Sequence, residues 1–196
     1  LYPQNSVTTT ATTFDHIADV LRHTRAIPDI NFISDYHGDP GYIHALAASI
    51  QEHWQQQKRQ RFLLMSFHGL PQRNIDKGDP YYDQCTGTAN LLATILGLGK
   101  EQWGMSFQSR FGKQEWIKPY TSETLATLAD KGLKEVDIIC PGFSVDCLET
   151  LEEIQLQNRD IFMQHGGQQY YYIPCLNDRE DHIDMMADLV KPYINN

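Results

Sequence analysis

Three short stretches of this sequence gather side chains that can do chemistry. In Ser66-Phe67-His68-Gly69-Leu70-Pro71, an imidazole stands where an apolar run breaks into a Gly/Pro turn. Histidine is the side chain best suited to move protons or bind a metal near neutral pH. A lone histidine is usually a hydrogen-bonded structural group or a surface residue; what raises this one is its place at the end of a strand. In Phe107-Gln108-Ser109-Arg110-Phe111-Gly112, followed by Trp116 and Pro119-Tyr120-Thr121, aromatic rings stand beside polar groups. Such rings either wall a flat, apolar ligand or simply pack a core. The glycines lack the spacing of a phosphate-cradling loop. In the third stretch, Pro141 to Glu153, the carboxylates Asp146, Glu149 and Glu153 fall at i, i+3 and i+7. On a helix that spacing makes one acidic stripe. Like charges so spaced repel by a few tenths of a kcal/mol per pair, although acids in a first turn suit the helix dipole and the others are satisfied by water. Together the three stretches describe a site for a cation and a planar ligand.

Such a site needs elements to hold it. Phe62 to Phe67 is a continuous apolar run, as expected of a strand buried on both faces. Gly104–Phe107, Val136–Cys140 and Tyr170–Ile173 read as further strands, and so does Ile30–Ser34. Helical spacing recurs from Phe14 to Leu21, with Thr12 or Thr13 as cap, and from Pro40-Gly41 through Ile50. It recurs again at about 82–98, from Thr121 or Ser122 to a stop at Gly132, from Val145 to Phe162 and from Asp181 to Ile194. Gly69–Asp83, rich in Gly, Pro and Asp, reads as loop. Strands alternating with helices imply α/β architecture with a mostly parallel sheet. Ligands of such sheets bind beyond the carboxyl ends of the strands, which selects the loops after Phe67, Phe107 and Cys140.

Composition narrows the function. The 196 residues suffice for one α/β domain, and the net charge of −9 argues against a nucleic-acid-binding face. The four cysteines, Cys85, Cys140, Cys147 and Cys175, form no CxxC pair and read as reduced thiols of a cytoplasmic protein. No apolar run approaches the length of a membrane span, and nothing at the start reads as a signal peptide. The opening Leu1-Tyr2-Pro3-Gln4 lacks an initiator Met and reads as the middle of a longer chain.

Taken in order, these motifs resemble ferrochelatase, of the proteobacterial type. The residues that carry the likeness are Ser66 to Pro71, Phe107 to Gly112 with Trp116, Cys140 to Phe143, and Asp146 to Ile154. The likeness runs through nearly the whole chain and includes the opening Leu1-Tyr2-Pro3-Gln4, similar to the family's segment between its two halves. It implies a Rossmann-like, chelatase-like parallel β-sheet flanked by helices. This would be the C-terminal one of two such halves, residues 1–196 as one domain with 1–12 as connector.

The resemblance also implies an activity, the insertion of Fe²⁺ into protoporphyrin IX to give protohaem. It makes His68 and Glu149 the catalytic pair and, with Asp146 and Glu153, the metal-facing groups. Phe67, Ser109, Arg110, Trp116 and Phe143 become the porphyrin-binding positions. Iron is then substrate, with no tightly bound cofactor and no iron–sulfur cluster. The expected partners are protoporphyrin IX, Fe²⁺ and the missing N-terminal half, without which the piece should be inactive. Peripheral membrane association and self-association of the piece stay open. There are departures from the family pattern: Cys147 stands where some relatives carry histidine, Gln157 where several keep an acid, and Val7 where related bacterial enzymes have cysteine. A chelatase for cobalt or another metal, and a non-catalytic porphyrin- or metal-binding module, are the rival readings.

Overall fold

A computed structural model describes residues 2–194. Leu1, at the head of the expected connector, and Asn195 and Asn196, at the end of the expected domain, lie outside the described residues.

Four strands, β1 (Phe62–His68), β2 (Trp103–Gln108), β3 (Glu135–Ile139) and β4 (Gln169–Ile173), form one sheet in the order β2-β1-β3-β4. All three pairings are parallel. Parallel neighbours need crossovers, and helices supply them. α3 (Gln72–Asp76) and α4 (Tyr81–Ile95) join β1 to β2, and α5 (Thr121–Asp130) joins β2 to β3. A π-helix (Glu149–Asn158) running into α6 (Arg159–Gln164) joins β3 to β4. α1 (Thr12–Arg22) and α2 (Pro40–Gln57) precede the sheet, and α7 (Glu180–Ile194) follows it.

The side-chain alternation of a strand sorts β1 and β3 into two cores. Leu63, Met65, Phe67 and Ile139 pack with Ile43, Leu46 and Ile50 of α2 and Leu92 of α4. Leu64, Val136 and Ile138 pack on the other face with Leu125 of α5, Ile154 of the π-helix and Phe162 of α6. Each such fully buried side chain contributes about 1.5–3 kcal/mol of apolar burial. Asp137 of β3 is fully buried and accepts from the Trp54 indole at 2.8 Å and from His53 at 3.3 Å. Arg61, itself buried, lies 3.5 Å from the same carboxylate and stacks over Tyr171. That cluster lies toward the amino ends of the strands, away from the cleft described below.

The structure departs from the sequence reading at four places. Ile30–Ser34 forms no strand and pairs with no strand of the sheet, and Phe32 instead packs edge-on against Phe14 of α1, ring centres 5.5 Å apart. Thr12 and Thr13 do not cap α1 but lie inside it, with Ala11 at the cap position, and ahead of them runs a π-helical turn, Val7–Ala11, capped by Ser6 through a bond from the Thr8 N–H. The long helix expected from Val145 begins at Glu149, because Asn177 and Thr150 hold the preceding residues in a turn. The expected loop 69–83 includes the one-turn helix α3.

Candidate active site

The carboxyl ends of β1, β2 and β3 open onto a cleft of about 610 Å³. His68, Gly69, Leu70 and Pro71 come from the β1 end, Phe111, Gln114 and Trp116 from the β2 loop, and Gly142 to Val145, Cys147 and Glu149 from the β3 side. The fourth side is the amino-terminal arm, which contributes Tyr2, Gln4, Ser6, Thr8 and Thr9. Sequence reasoning treated that arm only as a connector. The structure fastens it to α4 and the turn before it: Gln4 donates to Thr88 at 3.1 Å, and Asp79 accepts from the Ser6 hydroxyl and the Val7 N–H, both at 3.0 Å.

His68 leaves the sheet at the last residue of β1. Its Nδ1 lies 2.7 Å from the Gly69 carbonyl. A carbonyl can only accept, so Nδ1 carries the proton and Nε2 is the basic nitrogen. The ring centre stands 6.2 Å from that of Phe143. Gly69 is small for a reason. A Cβ there would fall 2.7 Å from the Gln108 carbonyl oxygen and 3.1 Å from the Trp116 indole. The Gly69 N–H donates to that same carbonyl at 2.8 Å, and the Ile117 N–H to Leu70 at 2.9 Å, which brings the Trp116 loop against His68. Trp116 walls the cleft although almost all its surface is covered, by Phe111 at 5.0 Å and by Gly69.

Glu149 opens the π-helix at the edge of the cleft. The Cys147 thiol, its own backbone N–H and the nearby His68 together hold its carboxyl below the usual range. Glu149 is therefore an anion at neutral pH, facing the histidine. Burial, followed by the Glu149 carboxylate, raises the Cys147 thiol. π-Helical turns recur at functional sites, and this one sets the carboxylates apart from a simple stripe.

Asp146 lies outside the helix and turns away from the cleft. Its Oδ1 accepts from Tyr172 at 2.5 Å and Thr150 at 3.0 Å, and its Oδ2 from Asn177 at 2.7 Å. Burial alone would raise this carboxyl, but the bonds from Asn177, Tyr172 and Cys175 outweigh it, and the net shift is downward. Glu153 is clamped by Ser109, whose N–H and hydroxyl donate at 2.7 and 2.6 Å. Of the expected metal-facing groups, then, His68 and Glu149 meet in the cleft, while Asp146 and Glu153 are held by neighbours. Among the described residues, no three His, Cys, Asp or Glu converge as a ready-made metal cage.

The expected porphyrin-facing set also divides. Trp116 and Phe143 line the cleft. Phe67 does not, because strand alternation turns it into the core against Phe107. Ser109, in a left-handed conformation at φ +65°, is spent on Glu153. Arg110 lies over the Tyr120 ring at 4.2 Å and 3.5 Å from Glu123.

Comparison with known proteins fits this geometry. Residues 1–193 match the family model described as ferrochelatase. The chain is 56% identical to the ferrochelatase of Aeromonas hydrophila, over 97% of this chain and 59% of that protein. It is 54% identical to that of Aliivibrio fischeri, over 100% of this chain and 61% of the relative, and 51% identical to that of Vibrio cholerae, over 97% and 60%. The chain thus spans about three fifths of the length of these relatives. Among solved structures it superimposes on SirB from Bacillus subtilis with Fe³⁺ at a TM-score of 0.69 and 13% identity, covering 97% of this chain and 68% of that one. It also superimposes on CbiX, the terminal enzyme for siroheme biosynthesis in denitrifying bacteria, at 0.64 and 15%, covering 99% and 74%. At those identities the likeness is one of fold. Matched along nearly its whole length, the chain belongs to the ferrochelatase family.

Proposed function

We propose that this chain is the C-terminal portion, residues 1–12 its connector, of an enzyme that inserts Fe²⁺ into protoporphyrin IX. The observation that carries the reading is the pairing in one aromatic-walled cleft of a basic Nε2 on His68 with an ionised Glu149. Inserting the metal releases two pyrrole protons. His68 accepts them in turn at Nε2, handing the first to water before taking the second, and the Glu149 carboxylate stabilises the imidazolium formed each time. Trp116 and Phe143 press on a macrocycle whose bent form exposes its nitrogen lone pairs; walls complementary to that form lower the barrier. Imidazole and carboxylate are also acceptable donors to incoming Fe²⁺, which is substrate, so no resident cofactor is required.

About two fifths of the length of these relatives lies outside the match, which supports a missing half that closes the cleft and excludes water. The isolated chain is then inactive. Four free cysteines suit a reducing cytoplasm, and among the described residues no helix is long and apolar enough to cross a membrane. The test is loss of protoporphyrin fluorescence on adding Fe²⁺ to the full-length enzyme carrying this chain. His68→Ala should slow metallation by about 100-fold or more. A rate within a few-fold of wild type would remove His68 from the chemistry. Competition among Fe²⁺, Co²⁺ and Zn²⁺ separates iron insertion from insertion of another metal.

A further inference from the structure

The side chain of Gln108 belongs neither to the cleft nor to a hydrophobic core. It is 3% exposed, at the last position of β2, and pairs in register with His68. Its Nε2 donates to the backbone carbonyl of Glu149 at 3.1 Å. Its Oε1 accepts from the Ser66 hydroxyl at 2.8 Å and the Cys140 thiol at 3.5 Å. A flipped amide would set oxygen against the Glu149 carbonyl, so the orientation is fixed by its partners.

Behind it the direction of donation continues. Ser66 gives its one proton to Gln108, so Thr121, 2.8 Å away, donates to Ser66. Thr121 has then spent its own proton, and Ser106, 3.0 Å away, donates to it. Four buried groups thus form a one-way relay, Ser106 to Thr121 to Ser66 to Gln108, ending on the carbonyl of Glu149. Such chains strengthen cooperatively and hold their end groups in fixed places. The backbone of Gln108 serves the other partner, its carbonyl accepting from the Gly69 N–H beside His68 at 2.8 Å.

We propose that Gln108 is a positioning residue, setting Glu149 in register with His68 from beneath the cleft. The inference rests on the metallation reading above. In the full-length enzyme, Gln108→Met keeps the length of the side chain and deletes its three hydrogen bonds. Loss of a supporting bond behind a reactive group costs about 10–100-fold, and it should fall on kcat, with KM for the porphyrin within about twofold. Ile50→Ala, in α2 within the core on the opposite face of the sheet, supplies a destabilised control that should leave kcat unchanged. The proposal fails if Gln108→Met keeps kcat within about twofold, or if the control loses as much. Should Gln108→Met not fold, Ser66→Ala unlocks the amide and should lower kcat about threefold, with an unchanged kcat counting against the proposal. Amide hydrogen exchange over Thr150–Ile154 decides independently of activity: it should rise about tenfold in Gln108→Met and not in Ile50→Ala. A wild-type enzyme that inserts no iron would sink the functional reading alone, and unchanged exchange would sink this one.

Discussion

Ser109 grips Glu153 twice, with its backbone N–H at 2.7 Å and its hydroxyl at 2.6 Å, one to each carboxylate oxygen. The grip joins the end of β2 to the middle of the π-helix, and Ser109 holds a left-handed backbone to make it. A hydrogen bond to a charged group of this kind contributes about 1.5–3 kcal/mol, near the lower figure where the pair is partly wet. Ser109→Ala keeps the backbone strain and loses the hydroxyl bond. It should lower the thermal midpoint by about 3–6 °C for a chain of this size. Ser109→Gly loses the same bond but relieves the strain, so it should be the milder change in the same melt.

Asp146 predicts a pH dependence. Its folded pKa is lowered, so the stability it contributes is fully present above its unfolded value near 3.8 and is lost as pH falls through the folded value. Asp146→Asn keeps the shape, cannot ionise, and turns an amide N–H₂ toward the donors of Tyr172 or Asn177. It should cost about 2 kcal/mol at pH 7. Urea unfolding at pH 7 and again below pH 4 should show the gap between the two proteins closing in acid. A gap that widens in acid would mean that the carboxyl is not held as described.

The parts of this architecture that were legible in the sequence are those written as period and composition. The continuous apolar run of β1 and the glycine ending α5 led to the right elements, and the strand-end rule led to the right side of the sheet. Ile30–Ser34 misled because apolar residues alone do not supply a partner edge. The acidic stripe misled because it assumed 3.6 residues per turn. In the π-helix the buried residues are Thr150, Ile154 and Asn158, a spacing of four that one face of an α-helix also accommodates, so the pattern did not reveal the wider turn. Two buried polar residues in that row were the available hint. The contacts made by Gln108 and by the arm from Tyr2 to Thr9 were not legible, since they join segments far apart in the chain.

Gly69→Ala tests the wall. The added Cβ would meet the Gln108 carbonyl at 2.7 Å and the indole of Trp116 at 3.1 Å, and the carbonyl is backbone that cannot step aside. Relief requires the Trp116 loop to move out from His68, at a cost of about 1–3 kcal/mol. Porphyrin affinity, followed by fluorescence in the full-length enzyme, should therefore weaken in Gly69→Ala. An unchanged affinity would show that Trp116 is not a wall of the binding site.

The last prediction concerns the face that the cleft does not use. α1 contains no buried residue, and Val20 and Ile27 stand 67% and 72% exposed, with Phe14, Ile30 and Phe32 exposed as well. So many exposed large apolar side chains on one helix and its following arm are unusual unless something covers them. If the remainder of the enzyme is the cover, the isolated chain should self-associate through this face at tens of micromolar. Replacing Val20 and Ile27 by Asp should then make the isolated chain monomeric by sedimentation. Its melting point should move by no more than about 2 °C, because surface changes of this kind cost under about 0.5 kcal/mol. In the full-length enzyme the same pair of changes would bury two unpaired charges and should destabilise it by several kcal/mol. The contrast between the two forms is the test: equal, small effects in both would mean that the face is open to solvent in the intact protein as well.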